Sequence, residues 1–365
     1  MPAVGPNSLV LVTGASGFVA AHVVHQLLER GHSVRGTVRS SEKGDYLKKL
    51  FSRHGDKFQY VIAEDVEKAG VFDEAVKGVD GVLHTASPFH FDAENAALDK
   101  LVHPAVKGTK NVLSSIIKEK GIKRVVITSS FAAILDRNAD GHASGTKIYN
   151  ENDWNESDPS ESEEKGNAQA SMNAYRSSKA LAERAAWVFQ EAHQPSWDLA
   201  TVNPPLIFGP IIHECHKPES LNTSIAQLYN AMHGKKKEEE LGNPAGNFVD
   251  VRDVAQTHVE ALLQAAGSNQ RFAPSGGPFS WQDVMDIIHA TKKPIPEEWK
   301  KNSPIGKPGS GKVQQNVLDG SKVEKKLGIK YHSLKDCIED SLEALHDYEK
   351  RGWKGVPAEE IVYLS

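Results

Sequence analysis

Between Leu9 and Gly31 the hydrophobic rhythm of the chain changes once. Leu9, Val10, Leu11 and Val12 form a continuous apolar run, the pattern of a strand buried on both faces. From Phe18 onward the apolar residues return at helical spacing, Val19, Val23 and Leu27 with Val24 and Leu28 beside them. Gly31 stands where a C-terminal cap belongs. Between strand and helix lie Gly14 and Gly17, so the pattern predicts strand, glycine turn and helix, the opening of a parallel βαβ unit. Glycines allow a tight turn there and let backbone N–H groups approach an anion at the positive helix end. A plain turn would use the same residues. The position after a buried strand and before a helix favours phosphate binding, on the stretch Gly14, Ala15, Ser16, Gly17, Phe18 and Val19.

The alternation continues. "HSVRGTVR" (32–39), "KFQYVIAEDV" (57–66), "GVDGVLHTAS" (78–87) and "IKRVVITSS" (122–130) read as further strands. Helical stripes separate them, the broadest over 98–119 with Leu101, Val102, Val106, Val112, Leu113 and Ile116. A helix over about 172–193 leads into "WDLATVNPPLIFGP" (197–210), whose first half is a sixth strand. Repeated βαβ units predict an α/β fold with a doubly wound parallel sheet. After Pro204 proline-rich connections and shorter helices predict a smaller, mainly helical C-terminal lobe. The expected division is a sheet domain over 1–204, rejoined by 246–272, a second lobe over 205–245 and 273–333, and a C-terminal helix and tail over 334–365. Internal repeats are absent, and the acidic stretch 151–164 and "KKKEEE" (235–240) read as solvated surface.

Composition narrows the function classes. A chain of 365 residues is long enough for about two domains, and 39% hydrophobic with 25% charged residues is ordinary for a globular protein. A net charge of −5 gives no electrostatic case for a nucleic-acid partner. No apolar stretch approaches the roughly 20 residues of a membrane span, and "MPAVGPNSLV" has no basic segment leading into a signal-peptide core. Two cysteines, Cys215 and Cys337, argue against a disulfide framework and for a reducing, cytoplasmic compartment. In "HECH" (213–216), His213, Cys215 and His216 are zinc-accepting types, but a structural site needs four spread ligands, and no CxxC or HExxH accompanies them. No metal is expected.

"NAYRSSKALAERAAW" (173–187) carries the second signature. Tyr175 and Lys179, four apart, share one face of a helix. A free Tyr titrates near ~10, and a nearby ammonium favours tyrosinate, bringing the hydroxyl toward the range useful for proton transfer. Tyr-x-x-x-Lys alone is a common accident. Joined to the glycine turn and to a strand ending in Ser129 and Ser130, it is specific.

Over nearly its whole length the chain resembles the extended short-chain dehydrogenase/reductases, and within them the fungal carbonyl and methylglyoxal reductases related to plant dihydroflavonol reductases. The motifs are "VTGASGFVA", "LHTASPF", "RVVITSS", "YRSSK", "VNPPLIFGP", "DVRDVA" and "PIGKPGSG". Ala20 stands where many members have a third glycine, a small change that helix–sheet packing tolerates, and 136–170 matches only around "YNENDWN". The resemblance implies a Rossmann-type dinucleotide-binding domain over 1–204, a substrate lobe after it, and NADPH-linked reduction of a small-molecule carbonyl substrate by a monomer or homodimer. It implies Tyr175 as proton donor, Lys179 as its partner, and Ser130, with Ser129 as alternative, as the carbonyl-binding serine. Asp65 and Val66, the run Thr85, Ala86 and Ser87, and Ile207 and Ser224 are implied as further cofactor contacts. Phe89, Phe131 and Leu206 are expected at the substrate pocket, where core packing would use the same residue types.

An NAD-preferring site presents a carboxylate at the end of the second strand; "TVRSSEK" presents Arg39 and then Lys43, which suit a 2′-phosphate. Two other readings remain. A nucleotide-sugar epimerase or dehydratase shares the glycine turn and Tyr-x-x-x-Lys, but its diphosphate substrate calls for arginines, and only Arg252, Arg271 and Arg351 follow Pro204. A non-catalytic NADP-sensing regulator would have no use for Ser130, Tyr175 and Lys179.

Overall fold

The structure, a computed structural model, describes residues 4–87, 97–312 and 314–355. The first half runs β1 (Leu9–Thr13), α1 (Phe18–Glu29), β2 (Ser33–Val38), α2 (Ser41–Leu50), β3 (Phe58–Ile62), β4 (Gly81–His84), α3 (His103–Ile116) and β5 (Arg124–Thr128). Next come β6 (Ile148–Tyr149), α4 (Ser157–Lys165), α5 (Ser171–His193), β7 (Asp198–Val202), β8 (Leu206–Phe208), α6 (Thr223–Met232), β9 (Pro244–Asp250) and α7 (Val251–Leu263). The remainder is β10 (Gln270–Phe272), β11 (Gly277–Ser280), α8 (Trp281–Ala290), α9 (Glu297–Asn302), β12 (Val317–Leu318), α10 (Ser321–Leu327) and α11 (Leu334–Lys350).

Seven strands form one parallel sheet in the order β10-β7-β5-β4-β1-β2-β3. The alternation of side chains along each strand divides the core in two. Val10 and Val12 of β1 join Val23, Leu27 and Val259 on the face covered by α1 and α7. Leu11 joins Val112, Leu113 and Ile116 on the face covered by α3. Strand order reverses at β1, which pairs with β2 on one side and β4 on the other, and a ligand cleft opens at the carboxyl ends of such a pair. Far from that end, Arg124 and Asp198 make a fully buried two-pronged ion pair, with Nε–Oδ1 at 2.5 Å and Nη2–Oδ2 at 2.9 Å. Arg124 also donates to the carbonyl of Ala261 at 2.9 Å, so this pair ties β5 and β7 to the end of α7.

The C-terminal lobe packs its helices around a small sheet in the order β11-β9-β8, and β6 pairs with β12. Segment 246–272 therefore divides. Its strand, β9, joins the small sheet with Leu206 opposite Phe248, whereas α7 packs on α1 and β10 pairs with β7. Apolar alternation marks a strand but carries no information about which sheet receives it. Cys215 and Cys337 are free and buried. Among the described residues no helix is long and apolar enough to cross a membrane.

Candidate active site

At the carboxyl end of β1, Gly14 takes φ +64°, and a Cβ there would lie 3.1 Å from Cα of Ala86. Strand β2 holds the turn: Gly14 N–H donates to Thr37 Oγ1 at 3.0 Å and Ala15 N–H to the Thr37 carbonyl at 2.9 Å. Gly36 makes the approach possible, since a Cβ on it would meet Cβ of Ala15 at 2.7 Å. Gly17 caps α1 without a side chain, which leaves the N–H groups of Phe18, Val19 and Ala20 without intrahelical acceptors. Ser16 beside them is half-buried. This is a cradle that fits a pyrophosphate: small, kept open by glycine, and lined by unspent amide donors at a positive helix end. Ala20 is buried in the helix–sheet contact, as a small residue there allows.

The segment after β4 closes the other side. Thr13 Oγ1 receives N–H bonds from Thr85 and Ala86, each at 3.1 Å, and stands 2.8 Å from Nδ1 of His84. With two donors aimed at it, the hydroxyl gives its own proton to His84, which must be neutral at that nitrogen. Burial drives the His84 pKa down to about 4, and the charge of Lys179 adds to this. Thr85 Oγ1 donates to the Thr13 carbonyl, so Thr85 and Ala86 are both tied to β1.

Helix α5 carries Tyr175 and Lys179. Burial raises the pKa of Tyr175, and a hydrogen bond with Ser130 pulls against it. Lys179 Nζ lies 5.4 Å from the centroid of the Tyr175 ring and donates to Ser87 Oγ at 2.8 Å. Burial lowers Lys179 to about 8. The ammonium thus lies against the Tyr175 ring, while Ser130 hydrogen-bonds the hydroxyl.

The two serines part company. Ser129 Oγ donates to Glu183 at 2.6 Å, whereas Ser130 faces Tyr175 and its Oγ accepts from Ala132 N–H at 3.1 Å. Asp158, fully buried, accepts from Arg137 at 2.7 Å, Arg176 at 2.9 Å and Asn155 at 2.8 Å, and thereby fastens part of segment 136–170 to α5 beside Tyr175.

Arg39 is exposed just past β2 and makes no ion pair among the described residues, but Lys43 stands 3.4 Å from Glu214, which offsets its charge. Asp65 is exposed and accepts from Glu67 N–H at 2.8 Å, while the carbonyl of Val66 accepts from Asn111 at 3.0 Å. Ser224 is buried and spends its proton on the Ile207 carbonyl, holding α6 to β8. Phe131 and Leu206 are half-buried, Phe131 edge-on to Tyr149 with ring centroids 5.6 Å apart; Phe89 lies outside the described residues. His213 is buried against Phe18 and Cys215 is buried, while His216 is exposed beside Glu214 at 3.1 Å. Among the described residues no group of three or more His, Cys, Asp or Glu is set to hold a metal. A wide cleft of about 980 Å³ lies on the outer face between α3 and α5, away from Tyr175, so chemistry and not size marks the site.

Sequence reasoning missed Thr13, Gly36, Thr37, His84, Asn203 and Glu183. Only Glu183, one helical turn past Lys179, carried a legible signal.

A glycine cradle at the switch point of a parallel sheet defines a Rossmann-type dinucleotide-binding protein. The model of the NAD-dependent epimerase/dehydratase family matches residues 10–272. The chain is 41% identical to an uncharacterized oxidoreductase of Schizosaccharomyces pombe, over 93% of this chain and 97% of that protein. It is 37% identical to the NADPH-dependent methylglyoxal reductase of Saccharomyces cerevisiae, over 94% of this chain and 99% of that protein. The crystal structure of yeast methylglyoxal/isovaleraldehyde reductase complexed with NADPH matches with a TM-score of 0.83 at 35% identity, covering 94% of this chain and 99% of that one. The chain belongs to the NAD-dependent epimerase/dehydratase family of extended short-chain dehydrogenase/reductases, on the branch of the fungal carbonyl reductases.

Proposed function

We propose that Ser130, Tyr175 and Lys179 carry out the NADPH-dependent reduction of aldehydes or ketones to alcohols. The observation that supports these roles best is the hydrogen bond between Tyr175 and Ser130 with Lys179 packed against the tyrosine ring. NADPH, when bound, supplies the hydride that a carbonyl carbon takes up. Tyr175 gives its proton to the carbonyl oxygen as general acid, a contribution of ~10²–10⁴-fold. Ser130 donates a hydrogen bond to the same oxygen and orients it. Lys179 stabilises the tyrosinate left behind; with its pKa near 8 it is still mostly protonated at neutral pH. We assign the pyrophosphate to Gly14–Val19 and the 2′-phosphate to Arg39, assisted by Lys43. Thr85–Ser87, Asp65, Val66, Ile207 and Ser224 line the rest of the cofactor cleft.

The yeast relative is named for methylglyoxal and isovaleraldehyde, both small carbonyl compounds. Phe89, Phe131 and Leu206 suit such compounds with an apolar portion better than a sugar. Against a nucleotide-sugar substrate, Arg271 is spent on Glu183 and Arg252 on Asp250 and Asp340. The free thiols fit a cytoplasmic setting, with the protein a monomer or homodimer.

Tyr175→Phe tests the assignment. NADPH affinity, read by fluorescence titration, should hold while kcat falls by ~10²–10⁴-fold. Near-normal turnover would overturn it.

A further inference from the structure

Glu183 is the most heavily hydrogen-bonded side chain near the site, and the mechanism above does not use it. Its carboxylate is fully buried. Oε2 accepts from Ser129 Oγ and from Asn203 Nδ2, both at 2.6 Å. Oε1 accepts from Arg271 Nε at 2.6 Å and from Thr201 Oγ1 at 2.9 Å. Burial opposes ionisation, but Arg271 and these bonds hold the carboxyl below its usual range, so it is an anion. Arg271 is itself fixed, its guanidinium 3.7 Å from the centre of the Trp154 ring and bonded to the Asp153 carbonyl at 2.8 Å.

Two of these bonds lead to Ser130. Ser129 is its chain neighbour, and Asn203 Nδ2 also reaches the Ser130 carbonyl at 3.3 Å. The backbone on either side is pinned as well, Ser129 N–H to Val202 at 2.7 Å and Phe131 N–H to Pro204 at 2.8 Å. Glu183 shares α5 with Tyr175, two turns further along. A single rigid helix thus carries the tyrosine at one point and, at another, the anion that grips the serine loop.

We propose that Glu183 is a positioning residue for carbonyl reduction: by holding Ser129 and Asn203 it sets the placement of the Ser130 hydroxyl relative to that of Tyr175. This rests on the roles assigned to Ser130 and Tyr175 above. A charged acceptor gives stronger, shorter bonds than a neutral one, which suits a task of geometry. The Trp187 bond serves as an internal control, since its Nε1 donates to Oε1 of the same carboxylate at 3.3 Å without leading to the Ser130 loop, whereas Thr201 also bonds Asn203 at 3.1 Å.

The test compares Glu183→Gln, Ser129→Ala and Trp187→Phe in the full-length protein, with Tyr175→Phe in the same assay. Because Glu183→Gln leaves Arg271 buried without a counter-charge, Glu183→Gln/Arg271→Gln is made alongside it. Glu183→Gln, or the paired variant where the single one does not fold, should lower kcat by about 10–100-fold, and Ser129→Ala by about fivefold or more, with KM for NADPH within about twofold. In both, the loss should fall on kcat and leave NADPH binding in place, as a displaced hydroxyl beside an intact cofactor cleft requires. Trp187→Phe should lower the melting temperature and leave kcat and KM unchanged. Equal losses of kcat in Trp187→Phe and Ser129→Ala, or losses in Ser129→Ala and the Glu183 variants that appear in KM for NADPH instead of kcat, would reduce Glu183 to a structural residue and overturn the proposal. Should Tyr175→Phe retain turnover, the catalytic assignment itself falls. If only Tyr175→Phe is impaired, that assignment stands and the role of Glu183 falls alone.

Discussion

Lys179 Nζ lies 2.8 Å from Ser87 Oγ, so the ammonium of α5 is anchored on the segment that follows β4. That segment is in turn fixed to β1 through Thr13. The glycine turn and Lys179 are therefore coupled through one short segment of chain. Ser87→Ala should free the ammonium to shift on the Tyr175 ring and lower kcat by roughly tenfold, since a hydrogen bond to a charged group is worth ~1.5–3 kcal/mol. Steady-state kinetics at saturating NADPH would read this; an unchanged kcat would show that Lys179 holds its position without Ser87.

Lys179 should also cost stability, with a defined sign. Burial lowers its pKa from 10.5 to about 8 in the folded protein. Between those values the unfolded chain binds the extra proton, so this group makes stability rise with pH from 8 to 10.5. Below pH 8 the full cost is present. Discounted for the water that reaches a half-buried side chain, it is on the order of 1–2 kcal/mol. Lys179→Met should therefore be inactive yet more stable than wild type at pH 7, with the difference shrinking by pH 10. Denaturant melts of both proteins at the two pH values check this, and a pH-independent difference would contradict it.

Cofactor choice should depend on Arg39 more than on Lys43. Arg39 is exposed and makes no ion pair among the described residues, whereas Glu214 stands 3.4 Å from Lys43. A guanidinium also meets a phosphate with two bonds where an ammonium offers a point charge. Arg39→Ala should lower kcat/KM for NADPH by about 10- to 150-fold while sparing NADH, and Lys43→Ala should do less. Glu214→Gln should tighten NADPH modestly by releasing Lys43. The idea fails if Arg39→Ala lowers kcat/KM for both cofactors equally.

Gly36 is predicted to be indispensable to cofactor binding although it contacts no ligand. A Cβ on it would meet Ala15 at 2.7 Å and Phe58 at 3.3 Å. Gly36→Val should push the glycine turn off β2, weakening NADPH and NADH alike by more than tenfold, as overpacking displaces backbone. Isothermal titration with both nucleotides would detect it; selective loss of one would point to another cause.

Local pattern alone determined the αβ alternation, the glycine turn and the Tyr175–Lys179 pair, because each is a relation between residues a few positions apart. Strand periodicity and helical spacing are short-range properties, and buried β1 and amphipathic α1 display them openly. The end of the second strand offered Arg39, and resemblance added the role of Ser130 and the expected cofactor. What only the tertiary structure decided were relations across the sheet. The different partners of Ser129 and Ser130 depend on Glu183, 54 residues away, which takes the Ser129 proton. The direction of Lys179 depends on Ser87, and β9 joins β8 instead of the main sheet through pairing that no local pattern encodes. Gly36 looked like any strand glycine until Ala15 was seen above it. Hydrogen bonds and close contacts of this kind exist only once the chain has closed on itself, and burial then sets their strength by removing the competing water.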